Sequence, residues 1–424
     1  MYSSFKKNFS IILLFFLYLS IIFGFVIGED LNGGAAHDYN YAYKPIIERF
    51  SNNFHETFYK YDQYGQRHSP ILIIFLAFLS RIFENDSIVR LIHLHLSLFL
   101  IFFFFYSLKI RFKFLNNSIV VIIASVIFIS PTFRSLAIWP DSRLFGLLFF
   151  VLSLFYFLKF KESKKKNFYY CLLNILFLSL SSYISPNFSV FSIYFFYHYV
   201  QKFDYNRIFI IIFFNLCLAF PAFYYLFILK IFFLSSGKTP GFDGAGVAFD
   251  YNFANKIILI STIIFFHLIN FILEKSIFNK LKFFLNQKKY LILLILFQAI
   301  LIYNFNYTPD FTGGGIFFHM SYFFFKNNYL LYFFLFFSLL FIFSFILKSF
   351  NNFLLFTILI ISNIQLSVYH KYYEPLILII FLLLFETKVD FKKYFNDKKN
   401  IFYLYFVAII FFILSISKRI LISQ

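Results

Sequence analysis

The sequence predicts an all-α polytopic membrane protein of about 13 transmembrane helices, and three observations carry that prediction. The 424 residues are 61% hydrophobic and 26% aromatic but only 13% charged, whereas a soluble chain is near half apolar and a quarter charged. The apolar residues fall in long runs, several close to the roughly 20 needed to cross a hydrocarbon core. Lysine and arginine concentrate in every second connection between those runs, the pattern expected of cytoplasmic loops. A chain with so little polar surface is not a soluble enzyme. It is also neither disordered nor, with two cysteines, a disulfide scaffold. The 77 Phe residues look like the coding drift of an AT-rich genome and are given no mechanistic reading.

Apolar runs between charged breaks give spans near 9–28, 87–108, 118–138, 144–158, 168–183, 188–201, 208–234, 256–273, 290–303, 329–347, 353–368, 375–385 and 401–417. Helices are the only suitable spanning structure, because lipid cannot satisfy an open backbone and the runs lack the alternation of barrel strands. The first run follows Lys6 and Lys7 and could be a cleaved leader. Its length and the absence of a small-x-small site favour a retained helix.

One run decides the topology. Ile71–Phe83 follows Pro70 and precedes Glu84, Asn85 and Asp86. If it lies along the surface, loops 1–8, 109–117, 159–167, 202–207, 274–289, 348–352 and 386–400 share the cytoplasmic side. They hold 23 basic and 6 acidic residues, against 15 basic and 13 acidic elsewhere. If it crosses, every later loop inverts and the basic side faces out, against the positive-inside rule. Ile71–Phe83 is therefore expected to be a juxtamembrane helix inside a large first extracytoplasmic loop, 29–86. The net charge of +19 becomes an orientation signal, and no nucleic-acid partner is needed to explain it.

With that topology the unusual polar residues gather outside. Loop 29–86 holds Glu29, Asp30, Asp38, Glu48, Glu56, Asp62, Glu84 and Asp86, with His37, His55 and His68. The next outer turn, Ala137-Ile-Trp-Pro-Asp-Ser-Arg143, puts Asp141 at a helix start. Ordinary capping and solvation explain Glu48, Glu56, Asp62 and Asp243. The same explanation stands beside any functional one for Asp38 and Asp141.

Asp38 lies in Gly33-Gly-Ala-Ala-His-Asp-Tyr-Asn-Tyr-Ala-Tyr-Lys44, soon after the first span. There follow a helical stretch, then Arg67-His-Ser-Pro70, then the surface helix. Arg90 comes at the start of the second span, and Pro140-Asp141 comes after the third. This order resembles the first half of the GT-C class of membrane glycosyltransferases, which includes oligosaccharyltransferases, protein O-mannosyltransferases and bacterial enzymes that modify lipid A or surface polysaccharide. Asp38-Tyr-Asn-Tyr matches that class's Asp in the first outer loop. Arg67-His-Ser-Pro70 is a degenerate form of its His-Pro-Pro segment, and Tyr372-Tyr-Glu-Pro375 resembles a Tyr-rich turn near its end. The resemblance covers residues 9–160, which it marks as a catalytic half. Residues 161–424 supply the remaining helices and the outer loops 235–255 and 304–328.

The resemblance implies transfer of a sugar, with inversion, from a polyprenyl-phosphate carrier to a lipid, glycan or protein acceptor at the outer face of a bacterial plasma membrane. It implies Asp38 as base and Asp141 as its partner. Asp30, nearer the membrane, is the fallback. Such a reaction needs a carboxylate to take the acceptor proton and cations to hold the phosphate. Arg67, His68, Arg134, Arg143, Lys371 and Glu374 all fall on the outer side as candidate substrate-binding residues. Some members use a divalent metal, Mg or Mn, and one or two carboxylates leave that open.

Other features are weaker. Thr239-Pro-Gly-Phe-Asp-Gly-Ala-Gly246 and Thr308-Pro-Asp-Phe-Thr-Gly-Gly-Gly315 echo one another. They read either as flexible turns or as backbone able to approach phosphate closely. His93 and His95 point about 200° apart on a helix, so they are no metal pair. Cys171 and Cys217 read as small core residues. No P-loop, dinucleotide fingerprint or His-Glu-x-x-His motif occurs. A lipid-linked oligosaccharide flippase or other transporter is the alternative function, although its ionisable residues would be expected near the midplane. An O-antigen-type polymerase or ligase is a further alternative.

Overall fold

The computed structural model describes every residue except 1, 32–33, 67, 164–166, 232–250, 310–312, 348, 388 and 424, and leaves aside the side chains of 2–7, 273 and 420–423. Helices make up the fold, with no strand among the described residues. Among the described residues, seven helices are long and apolar enough to cross a membrane: Asn8–Val26, Asp86–Arg111, Ser142–Glu162, Tyr205–Ile228, Phe253–Ile272, Tyr329–Ile346 and Lys398–Arg419. Two bent pairs raise the number to nine. The expected spans at 168–183, 188–201, 353–368 and 375–385 correspond to helices of 17 residues or fewer. Apolar runs record hydrophobicity rather than unbroken helix; Pro186 separates two of these runs and Pro375 opens another.

The chain divides into two compact units, Met1–Asp243 with Phe411–Gln424, and Gly244–Ile410. The first opens with α1, Tyr2–Val26, and a single helical turn, Ala35–His37. A π-helical turn, Asp38–Tyr43, then runs into α2, Lys44–Asn52, and α3, Phe54–Tyr59. Next come α4, Ile71–Phe83, and the two halves of one long span, α5, Asp86–Ser97, and α6, Phe99–Arg111. A bent pair is built on α7, Asn117–Ser125, and α8, Pro131–Ile138. The unit closes with α9, Ser142–Glu162, α10, Phe168–Ile184, α11, Ser192–Val200, and α12, Tyr205–Phe223. Helix α9 packs on α10 and α6. Ser142 through Phe160 bury an apolar set all round that helix, as expected of a helix at the centre of a bundle.

Helix α4 is the run expected to lie along the membrane surface. Its 13 residues rise about 20 Å, short of a ~30 Å hydrocarbon core. Leu72, Ile73, Leu76, Ala77 and Leu79 are buried, and α4 packs against α2, whose own buried face is Ile46, Ile47 and Phe50. Phe78 and Ile82 remain 61% and 55% exposed. Arg81 ties the pair together, donating from Nε to Ser51 O at 2.7 Å and from Nη2 to Phe50 O at 3.1 Å. Those carbonyls belong to the last turn of α2, where a cation complements the helix dipole.

The second unit contains α13, Phe253–Leu268, and the pair α14, Lys275–Asn286, and α15, Lys288–Tyr303, which are bent by 88°. It continues with α16, Gly315–Phe325, α17, Tyr329–Ile346, α18, Phe350–Ile361, α19, Leu376–Leu383, and α20, Phe391–Asn396. Helix α13 packs on α16 and α17. The last helix, α21, Lys398–Ser423, begins in this unit and ends in the first.

Candidate functional site

The chain leaving α1 is held against α8 by polar contacts that fix where loop 29–86 begins. Glu29 and Arg134 form a buried bidentate pair, with Nε to Oε1 and Nη2 to Oε2 both at 2.6 Å. The indole N–H of Trp139 donates to Glu29 O at 3.0 Å, and Leu31 N–H donates to Ser135 Oγ at 2.8 Å. Gly24 makes room for the pair, since a Cβ there would lie 2.5 Å from Glu29 Oε2 and 2.9 Å from Arg134 Nη2.

Asp30 is buried at 7% exposure. Its Oδ2 accepts from Ala36 N–H at 3.1 Å, which caps the turn Ala35–His37. Its Oδ1 has no hydrogen-bond partner among the described residues. Asp38 begins the π-helical turn and is half-buried, its N–H bonded to Gly34 O at 2.7 Å. Single π turns inside helices occur often at functional sites. Here the turn places two tyrosines inward. Tyr39 O–H donates to Asp86 Oδ1 at 2.6 Å, and Tyr43 shares a 2.9 Å hydrogen bond with Ser142 Oγ.

These contacts gather sequence-distant residues into two adjoining groups. In one, the Arg90 guanidinium lies 3.5 Å from the Trp139 ring, 5.2 Å from Phe25 and 6.0 Å from Tyr39, and donates to Ile138 O at 3.1 Å. In the other, Asp141 is 3% exposed and caps α9, accepting from Arg143 N–H at 2.7 Å. The Arg143 guanidinium stands 3.7 Å from the second Asp141 oxygen. The His68 ring stacks on Tyr43 at 6.3 Å, and His68 O accepts from Tyr61 O–H at 2.7 Å. Burial pushes the Tyr43 hydroxyl well up, and the Asp141 charge adds to this. Burial and the bond to Asp86 do the same for Tyr39. Both phenols therefore remain neutral donors over the working pH range.

The remaining candidates are placed differently. All five Arg134 N–H donors meet acceptors: Glu29 at both oxygens, Ser20 Oγ and O, and Phe128 O. A phosphate ligand would have to displace them, so this residue is a clamp between α1 and α8. Arg67 lies outside the described residues, as does loop 235–251 except Tyr251. Lys371 and Glu374 belong to the second unit. Lys371 Nζ sits 5.3 Å from the Tyr369 ring, and Glu374, 8% exposed, bonds through its N–H to His370 O at 2.9 Å. The imidazoles of His93 and His95 face separate partners, Ala137 O for one and Tyr18 with Leu91 O for the other. Among the described residues no three His, Cys, Asp or Glu side chains converge as a metal site would require.

Two features of the second unit escaped the sequence reading. Lys256 is 1% exposed inside α13 and donates to Asn363 O and Gln365 O at 2.8 Å each. A lone Lys beside an Asn at the start of an apolar run was the available signal, because a buried cation needs specific partners. His267 Nε2 and His370 Nδ1 approach to 3.4 Å, and His370 Nε2 accepts from Ile316 N–H at 3.1 Å. That pairing joins residues 103 apart, and no local pattern announces it. No family model matches the chain, and no curated protein or solved structure matches it either.

Proposed function

We propose that this chain is an integral membrane glycosyltransferase of the GT-C kind. On this reading a polyprenyl-phosphate carrier donates a sugar, with inversion, to a lipid, glycan or protein acceptor at the outer face of a bacterial plasma membrane. The 13-span topology with a cytoplasmic N-terminus belongs to the same proposal. One observation carries it: the π-helical turn begins at Asp38 and ends at Tyr43, whose hydroxyl bonds Ser142 beside buried Asp141. The turn that Asp38 opens is thus anchored at its far end beside Asp141, with Arg143 and His68 next to that anchor.

In the proposed reaction half-buried Asp38 takes the acceptor hydroxyl proton as the acceptor oxygen attacks the sugar carbon. Asp141 orients the acceptor, and Arg143 steadies the departing phosphate with fixed donors. A divalent metal, Mg or Mn, is left open by this donor set.

The test is transfer from radiolabelled polyprenyl-phosphate sugar to a membrane-lipid extract by the purified protein. Asp141→Asn is an informative variant because Asn caps a helix as well as Asp does. A fold that rests only on the cap therefore survives the change, while loss of the charge removes the proposed role. Transfer is expected to fall ~10²–10⁴-fold in Asp38→Asn, the range of general-base contributions, and substantially in Asp141→Asn. Full transfer by both variants would sink the assignment.

Transport of a lipid-linked sugar is the second reading, and two observations favour it. Lys256 is buried in the first turn of a candidate span, and the pair Asn117–Ile129 and Pro131–Ile138 is bent by 67°. Buried charges and broken helices are features of transporters. Uptake of the sugar carrier into vesicles without any transfer would select this reading.

A further inference from the structure

We propose that α14 is a docking surface for anionic phospholipid headgroups, and that an acyl chain of the docked lipid lies against the shallow apolar cleft at its elbow with α15. This inference stands apart from the glycosyltransfer reading.

The helix is built for a membrane surface. At about 100° per residue, Ile277, Phe278, Leu281, Phe284 and Leu285 fall within an arc of about 120°, and the lysines, asparagines and Ser276 lie outside it. One flank of the apolar arc, Ile277 and Phe284, is buried. The other flank, Phe278 and Leu285, is left 55% and 43% exposed. The bend of 88° between α14 and α15 puts α14 near the membrane plane if α15 runs across it. An amphipathic helix in that orientation sinks its apolar edge among acyl chains and raises its cations to headgroup level.

The charge is one-sided. Residues 274–289 hold Lys275, Lys280, Lys282, Lys288 and Lys289 against Glu274 alone. Glu274 is engaged as the N-cap, accepting from Ser276 N–H at 2.8 Å and Ile277 N–H at 3.1 Å. Lys280 points over the Phe345 ring. Lys275, Lys282, Lys288 and Lys289 are exposed and enter no ion pair among the described residues. Two exposed ammonium groups on α14, Lys275 and Lys282, and two at the elbow where α15 begins, Lys288 and Lys289, complement anionic headgroups through the surface potential. Beneath them Phe284, Tyr290, Leu291, Leu294, Leu340 and Phe343 line the cleft with apolar surface. Cations above an apolar trough match a lipid, which carries both chemistries in one molecule. A soluble polyanion would leave the trough unused.

The experiment uses the full-length protein in phosphatidylcholine bilayers with and without phosphatidylglycerol. Phosphatidylglycerol is expected to raise the thermal midpoint by several degrees, and high salt is expected to remove most of that rise. Lys275→Gln/Lys282→Gln/Lys288→Gln/Lys289→Gln is expected to match the wild type in phosphatidylcholine and to lose at least half of the rise. A full rise in that variant, or one indifferent to salt in the wild type, would overturn the headgroup assignment. The salt dependence is read on the unmodified protein, so it decides even if the variant folds poorly. Leu294→Trp narrows the cleft without touching a lysine. It should reduce the phosphatidylglycerol retained through purification, as counted by native mass spectrometry, and unchanged retention would overturn the acyl-chain part. Abolition of the rise by an acidic peptide that binds the protein would assign the face to a protein partner instead.

Discussion

Arg134 and Glu29 are both nearly excluded from solvent, with side chains 5% and 9% exposed. A buried ion pair of this kind contributes little net stability, because desolvation offsets much of its attraction, but losing one partner strands the other. Glu29→Gln or Arg134→Met is therefore expected to cost about 3–5 kcal/mol, read as thermal or denaturant unfolding in detergent. The double variant should cost clearly less than the two single costs added, because its second change removes the stranded charge. Additive costs would show that the two residues act independently. Gly24→Ala should injure the same clamp through the 2.5 Å approach to Glu29 Oε2. The cap role of Asp141 was legible in the sequence, since Asp followed by Ser-Arg and an apolar run is a local signature. The partner of Arg134 was not legible. It lies 105 positions away and depends on how α1 and α8 meet.

At the level of elements, local pattern identified the helices better than their ends. The short apolar run at α4 and the acidic residues after it predicted a helix outside the core, and α4 is a separate 13-residue helix packed on α2. The π turn at Asp38–Tyr43 has no comparable signature. Its register follows from the anchoring of Tyr39 and Tyr43 on Asp86 and Ser142, residues far along the chain. An in-plane α4 has a measurable consequence. A spin label at Phe78→Cys, on the 61% exposed side, should report a depth at the boundary of headgroups and chains. Strong collision with a lipid-soluble relaxer and none with a water-soluble one would place it near the midplane and refute the surface position. Arg81→Met should loosen α4 from α2 by about 1 kcal/mol, the scale of a lost charge at a helix C-terminus. Faster amide exchange confined to α2 and α4 would report it.

For the whole molecule, orientation rests on charge summed over many loops, a quantity that no single contact reveals. Seven helices among the described residues long enough to cross, or nine with the bent pairs, make a multi-pass chain. Their lengths alone do not say which side each loop faces. From residue 109 onward the surface assignment of Ile71–Phe83 puts 21 basic residues inside, against 9 if that run crosses. The preference is worth testing where it is most exposed to error, on the two sides of the second span. Asn117 begins α7 just after the basic turn that contains Lys109, Arg111 and Lys113, and Phe83 ends α4. In a background with Cys171 and Cys217 replaced, Phe83→Cys in sealed cells should react with a membrane-impermeant maleimide. Asn117→Cys should react only after the membrane is opened. Both sites lie in the first compact unit, and the helix Asp86–Arg111 separates them, so equal reactivity from outside would mean that this helix does not cross. The reverse pattern would turn the basic loops outward. It would then move Asp38, Asp141 and the whole carboxylate cluster to the cytoplasmic side, where a sugar carrier presented at the outer face could not reach them.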